Sequence, residues 1–272
     1  MTVAAVARTV HLIEELAGAP GAVELSVLAE RVGLPLSAAH RILTTLVASG
    51  IVVQHPVTSS YQLSLRLAVL AFRSLEARRV PDVVQPVLDR LAARTREYCR
   101  LAIAEGDHLV WVARAQGAPA GLRYDPDMGD EIVLYATANG KAWLATFCDD
   151  DVRRILAAHG MSAPRPLGPR CITRVEALLE DLAEVRRRGF ATAVEEAEEG
   201  TAAVAVAFRA GSAIEAPVAG TISVAGPLIR MSEARHAELA AALRDAAAEA
   251  GEMWPIRVFG ESARPAREAA AA

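Results

Sequence analysis

The sequence predicts an α+β chain in two parts: a small helical head closed by a β-hairpin, then a larger body mixing helices and strands. Three observations predict it. Apolar residues recur at helical spacing in successive segments of the first fifty or so positions, short β-rich runs follow a glycine stop at Gly50, and the rest switches between the two periods. With 272 residues there is room for about two domains. The apolar fraction, 53%, argues against disorder over most of the chain. Alanine supplies much of it and aromatic residues only 4%, so the cores are expected to be built from small aliphatic groups.

Val3, Val6, Val10, Ile13 and Ala17 define a first amphipathic helix, ended by Gly18-Ala19-Pro20-Gly21. Ser26 is a candidate cap for a short second helix reaching Val32. Pro35, after Gly33-Leu34, suits the first turn of a third helix running to about Ser49. Residues 51–54 and 61–63 read as strands around a tip at 55–60. Residues 65–79 form a linker helix ending in Arg78-Arg79, and Pro81 marks the domain boundary. In the body, helices are expected at 83–96, 139–147, 150–158, 174–188 and 232–250. Residues 98–104 and 109–115 form a hairpin, and further strands are expected at 121–125, 190–194, 204–208 and 218–224. The predicted organisation is thus a head at 1–64, a linker helix at 65–80, a body at 81–260 and a frayed tail at 261–272.

Net charge is −4, which excludes a generally basic nucleic-acid binder. Its distribution is uneven: residues 1–79 carry seven arginines against five acidic residues, and residues 80–272 carry 22 basic against 28 acidic. A slightly basic head on an acidic body permits local DNA contact. Lys141 is the sole lysine beside 28 arginines, read as the codon bias of a GC-rich genome. Cys99, Cys148 and Cys171 are far apart and odd in number, so no disulfide framework or zinc knuckle is indicated. The first 17 residues hold Arg8, His11, Glu14 and Glu15 and lack a signal-peptide core, and no uncharged stretch reaches membrane-spanning length. A cytoplasmic protein without membrane contact is expected.

The spacing from Ala29 to Arg41 carries the functional reading. Two helices crossing closely need a small residue, here Ala29, and the turn between them needs a positive φ, here at Gly33. On the next helix Ala39, Ile42, Leu43 and Leu46 form the buried stripe, while Ser37, His40, Arg41 and Thr44 share another face. Short hydrogen-bonding groups with an arginine suit the major groove. Three helices followed by a hairpin make a winged helix-turn-helix.

With those residues in place, the chain resembles the IclR family of bacterial regulators from Val6 to about Met231. The head matches in Leu25-Ser26-Val27-Leu28-Ala29, Gly33-Leu34-Pro35, Ser37 and His40-Arg41. The body matches in Tyr135-Ala136-Thr137-Ala138-Asn139-Gly140-Lys141-Ala142, in Arg188-Gly189-Phe190 with Glu195-Glu196 and Gly200, and in Ser223-Val224-Ala225-Gly226-Pro227. The resemblance implies a linker helix, a GAF-like effector domain with a curved antiparallel sheet, and homodimers or homotetramers binding a pseudo-palindromic operator in double-stranded DNA. It implies a DNA-binding face of Ser37, His40 and Arg41, with Arg8, Ser26, Pro35, Ala38 and Thr44 around it. The family often has a basic residue where Leu36 stands, a threonine where Ala38 stands and an arginine in the wing tip, so phosphate contacts are fewer here.

The resemblance also implies a pocket between the sheet and the loop entering the Gly140-Lys141 helix, with Tyr135, Thr137, Ala138, Asn139, Ala193, Ala203, Ser223 and Ala225 as its residues. Members that sense very small polar acids commonly carry aspartate, cysteine and serine where Ala193, Ala203 and Ala225 stand. The alanines predict more apolar space and a partly apolar or aromatic carboxylate as small-molecule effector. Arg123 is placed either on that carboxylate or in an internal pair with Asp125 or Asp127. The Thr137–Gly140 backbone is a candidate carboxylate nest, and Lys141 is expected to be structural. No GxSxG elbow, HExxH pair, metal-ligand spacing or cofactor motif occurs, and Glu195-Glu196 with Glu198-Glu199 read as a solvated turn. Catalysis is therefore the weaker class; the rival is a metabolite-binding protein or enzyme whose helical head binds protein.

Overall fold

The computed structural model describes residues 3–77, 80–118, 120–126, 131–163, 166–211 and 216–254. The chain divides into two compact units, Met1–Ala77 and Arg78–Ala272. The expectations for Arg78-Arg79, Asp127 and the tail 261–272 lie outside the described residues. Among the described residues no helix is long and apolar enough to cross a membrane.

The first unit is a winged helix: α1 (Ala4–Ala17), α2 (Leu25–Arg31), α3 (Leu36–Ala48), β1 (Val52–Gln54), β2 (Tyr61–Leu63) and α4 (Arg66–Ala77). The wing strands pair antiparallel with Val53 opposite Gln62, and an isolated bridge between Val23 and Tyr61 ties the segment before α2 to them. The helix-turn-helix turn closes as expected. Gly33 takes φ +64°, Gly33 N donates to Glu30 O at 3.0 Å and Leu34 N to Ala29 O at 2.8 Å. These two bonds satisfy the last carbonyls of α2 through a left-handed glycine. Gly50, at φ +73°, ends α3 by the same device, with Gly50 N on Val47 O and Ile51 N on Leu46 O.

Three local expectations are corrected. Helix α1 forms, but Val3, Val6 and Val10 are exposed and Leu12 and Leu16 enter the core. The leucine pair lies roughly 120° around the helix from the valine stripe, and the larger side chains take the interior with Leu28, Leu43 and Leu46. Ser26 does not cap α2: Glu24 occupies the cap position, without a side-chain bond, and Ser26 stands within the first turn. Pro35 sits at the cap of α3, one residue before the helix.

The second unit contains α5 (Val80–Thr95), β3 (Tyr98–Glu105), β4 (His108–Gln116), α6 (Ala138–Leu144), α7 (Asp149–His159), α8 (Val175–Arg188), β5 (Ala191–Val194), β6 (Thr201–Arg209), β7 (Val218–Pro227), a short 3-10 turn and α9 (Glu233–Glu252). The strands form one antiparallel sheet in the order β4-β3-β7-β6-β5. Helices α5 and α9 pack on one face and α6, backed by α8, on the other. Central β7 is buried along nearly its whole length because both faces are covered. Pro81 falls in the first turn of α5, where its missing N–H costs nothing.

Residues 121–125 are not a strand. The carbonyls there are claimed by side chains: Gln116 Nε2 donates to Tyr124 O at 3.0 Å and Arg230 Nη1 to Leu122 O at 2.9 Å. The segment follows these partners rather than a ladder.

Candidate functional site

In the first unit α3 presents its polar face outward. Ser37, His40, Arg41 and Thr44 are exposed, while Ala39, Leu43 and Leu46 on the opposite side are buried. Ser37, His40 and Arg41 share a shallow depression with Leu25 and Leu36. Arg41 also lines a groove of about 370 Å³ between α1 and α3, together with Arg8 and Ala38. Two guanidinium groups at one groove give local positive charge that the whole-chain balance hides. Thr44 Oγ1 donates to His40 O at 2.8 Å, so its hydrogen is committed to the helix. Ser26 and Pro35 are exposed at the starts of α2 and α3. The wing tip is fixed by its own bonds, with His55 Nδ1 accepting from Thr58 N at 3.3 Å.

In the second unit a cavity lies between α6 and the sheet, with about 50 Å³ open to water. Its floor follows from strand register. Ala193 pairs with Ala203, Ala203 with Ala225 and Ala225 with Tyr98, so one row of small residues crosses β5, β6 and β7 on a single face. The next row runs through Ala191, Ala205, Ser223 and Arg100. Small side chains in both rows let α6 approach closely, and Ala138 and Ala142 pack on Ala191, Ala193 and Ala205. Gly140 lets α6 pack tightly on the segment that leads into it: a Cβ there would lie 2.2 Å from Leu134 O.

The expected pocket residues Thr137, Ala138, Asn139, Ala193, Ala203, Ser223 and Ala225 all line this cavity. Two of the polar ones are already engaged. Thr137 Oγ1 caps α6 by accepting from Gly140 N at 3.1 Å and donates to Val133 O at 3.0 Å. The candidate backbone nest has therefore already given up its Gly140 N–H. Asn139 Nδ2 donates to Thr221 Oγ1 at 2.9 Å. Ser223, a residue only 3% exposed, makes no side-chain hydrogen bond to the described residues, and its side chain lines the cavity. Tyr135 and Arg123 are not in the cavity lining. Tyr135 is buried in the helical core beside Trp143, and Arg123 is exposed. Asp125, one proposed partner of Arg123, lies 3.8 Å from Arg114.

The sequence reading missed the groups that give the cavity its chemistry: Arg100, Trp111, Tyr124 and Glu131. Arg100 is 7% exposed. Its Nε donates to Tyr98 Oη at 3.1 Å, its Nη2 to Pro126 O at 2.8 Å, and its guanidinium carbon lies 4.5 Å from the Trp111 ring centre. The signal was present: in 98–104, Arg100 stands at an inward position between Tyr98 and Ala102, where a charged residue is rare unless paired or functional.

A second buried ionic group supports α6. Lys141 Nζ lies 2.8 and 2.9 Å from the two Glu196 oxygens and 3.0 Å from Asp181 Oδ2. Lys141 is structural as expected, but Glu196 is not on a solvated turn. It is 8% exposed, and burial pushes its carboxyl above the usual range although Lys141 opposes the shift. Burial likewise raises the Cys171 thiol, with the Glu196 charge adding to it. Just before β3, Glu97 is held bidentately by Arg230, at 2.8 and 2.7 Å, and by Arg235 at 2.9 Å. Burial works against its charge, but the two guanidinium groups outweigh that and hold its carboxyl below the usual range. Among the described residues no group of three or more His, Cys, Asp or Glu is gathered for a metal.

A winged helix with an outward polar face, in one chain with a sheet-and-helix unit enclosing a partly polar cavity, defines a DNA-binding regulator that responds to a small molecule. Family models agree with both halves: the IclR helix-turn-helix domain matches residues 5–56 and the bacterial transcriptional regulator IclR C-terminal domain matches residues 72–251. The chain belongs to the IclR family of transcriptional regulators. It is 35% identical over 225 residues to the HTH-type transcriptional regulator KdgR of Escherichia coli, covering 81% of each chain. It is 28% identical over 243 residues to the transcriptional repressor IclR of the same organism, covering 89% of this chain and 86% of that one. Among solved structures it is similar to an IclR homologue from Microbacterium hydrocarbonoxydans complexed with 4-hydroxybenzoate, at TM-score 0.72 and 27% identity, covering 92% and 99% of the two chains.

Proposed function

We propose that the chain is a cytoplasmic regulator that binds a pseudo-palindromic operator as a homodimer or homotetramer, and that a partly apolar, aromatic-type carboxylate changes its operator affinity. In this reading residues 1–64 bind DNA, 65–80 link, 81–260 bind the effector and 261–272 form a tail. Ser37, His40 and Arg41 contact base edges, with Arg8, Ser26, Pro35, Ala38 and Thr44 at the surrounding backbone. The exposed Val3, Val6 and Val10 stripe supports self-association, since an apolar row on a small unit gains from being covered. A symmetric dimer presents two recognition helices to half-sites about one helical turn or a multiple apart.

The observation that carries the effector reading is the alanine row beside a buried arginine. The row offers apolar surface, Arg100 offers charge, and Trp111 and Tyr124 add aromatic walls. The relative bound to 4-hydroxybenzoate supports the same ligand class. The cavity's 50 Å³ is less than the roughly 150 Å³ that admits benzene in a dry apolar site. A ring therefore enters by displacing the wall, and Tyr124, carried on a loop rather than on the sheet, is the wall that gives way. That displacement is the differential interaction a ligand needs to shift an equilibrium.

Selection of random duplex DNA by the purified protein at physiological salt, read by sequencing, tests the regulator reading. A pseudo-palindromic motif supports it. No enrichment by a folded protein, with or without aromatic acids, would contradict it.

A further inference from the structure

We propose that Arg100 and Ser223 are the anion anchor of the cavity, and that its ligand is a monocarboxylate that also carries a hydrogen-bond donor, such as a hydroxyaromatic acid. This rests on reading the cavity as the effector site and adds which atoms hold the acid and which acids are refused.

Arg100 and Ser223 face each other in register on β3 and β7, so both side chains stand on the cavity side of the sheet. The arginine is immobilised before any ligand arrives: Tyr98 Oη and Pro126 O accept from it, and the Trp111 ring backs the guanidinium. An orientation fixed in advance costs a ligand little ordering entropy. The Ser223 side chain lines the cavity and makes no hydrogen bond to the described residues, so its hydroxyl is available to an entering ligand. A carboxylate pairs with it, accepting from the hydroxyl with one oxygen and from the guanidinium with the other. The adjoining row, Ala225, Ala203 and Ala193, carries no polar side-chain atom, so the acid is held at the arginine row and the ring lies over the alanines.

The rest of the cavity is read by charge. Among the described lining residues there is one cation, Arg100, and one carboxylate, Glu131. A ligand with a single carboxylate leaves Glu131 to accept from a hydroxyl. A dicarboxylate brings a second negative charge with no further cation among the described lining residues to meet it, and like charges at close range repel.

Calorimetric titration of the full chain with 4-hydroxybenzoate, benzoate, terephthalate and 4-hydroxybenzamide tests this. Wild type is expected to bind 4-hydroxybenzoate tightest and terephthalate weakest of the acids. Arg100→Gln is expected to lose roughly 10- to 100-fold in affinity for 4-hydroxybenzoate, the worth of a charged hydrogen-bonded pair, while the neutral amide changes less than about threefold. Ser223→Ala is expected to weaken the acid about 3- to 10-fold, and Glu131→Gln to narrow the gap between terephthalate and 4-hydroxybenzoate. If Arg100→Gln shows no cooperative melt, Arg100→Lys and Ser223→Ala decide. Acid affinity unchanged in the folded arginine variant and in Ser223→Ala overturns the anchor and leaves the effector class standing. Wild type that binds the amide but none of the acids, or none of the four, overturns the effector reading itself.

Discussion

Replacing Lys141 by methionine keeps the length and apolar stem of the side chain and removes only the ammonium. The Glu196 carboxylate, 8% exposed, then loses both of its contacts to Nζ, at 2.8 and 2.9 Å, and keeps a 3.3 Å bond from Val194 N. Asp181 Oδ2, the oxygen facing Nζ, is buried and makes no hydrogen bond, so although 26% of that side chain is exposed the penalty falls on both carboxylates. Breaking one side of a buried ion pair costs about 3–5 kcal/mol. For a domain of this size each kcal/mol moves the melting temperature by roughly 2–4 °C, so the expected drop is about 6–20 °C. The pH dependence follows from the raised Glu196 pKa. A carboxyl whose folded pKa lies above its unfolded value contributes stability at low pH that is lost as pH rises through the folded pKa. Without Lys141 that pKa rises further, so the melting gap between variant and wild type should be wider at pH 8 than at pH 5. Adding Glu196→Gln to the variant should close part of it. Scanning calorimetry across pH 5–8 reads all three quantities. A gap under about 2 °C at pH 8, or one that does not change with pH, would mean that the Lys141 ammonium does not hold the buried Glu196 charge.

Three other outcomes follow from the geometry. Arg41→Ala should weaken operator binding by about tenfold or more, the worth of a base or phosphate contact, while calorimetry finds aromatic-acid affinity unchanged. Gly226→Ala puts a methyl 2.5 Å from Glu97 Oε2, whose carboxylate two arginines hold in place, and should cost about 1–3 kcal/mol in denaturant unfolding. Glu97 has a lowered pKa, so its stabilisation is present above its ordinary value of 4.5 and lost as pH falls through the lower folded value. Acid titration of Glu97→Gln should show a shallower loss of stability below pH 4.5 than wild type.

Much of the fold was legible because it is written in local signals. Gly33 and Gly50 announce left-handed helix ends that the structure uses for two closed turns. The paired strands 98–105 and 108–116 follow from alternation around Gly106. What failed was competition between faces or between partners. On α1 the valines and the leucines are both at helical spacing, and only the packing decides which stripe is inside. Residues 121–125 have strand composition, but Arg230 and Gln116 claim their carbonyls, and those contacts are distant in sequence. The cavity was half legible. Motif positions found the alanine row, whereas Arg100 was hidden in a strand read only for its apolar neighbours. Glu196 looked like surface because its neighbours are acidic, and its partner Lys141 lies 55 residues earlier.

One ligand equilibrium in the second unit is expected to control DNA binding by the first. Fluorescence anisotropy of a labelled selected operator, titrated with wild-type protein with and without saturating 4-hydroxybenzoate at fixed salt, reads that control. A shift in operator affinity of about fivefold or more, the lower range of allosteric coupling, is the predicted result. Superimposable isotherms, from protein that calorimetry shows to be fully ligand-bound, would contradict it.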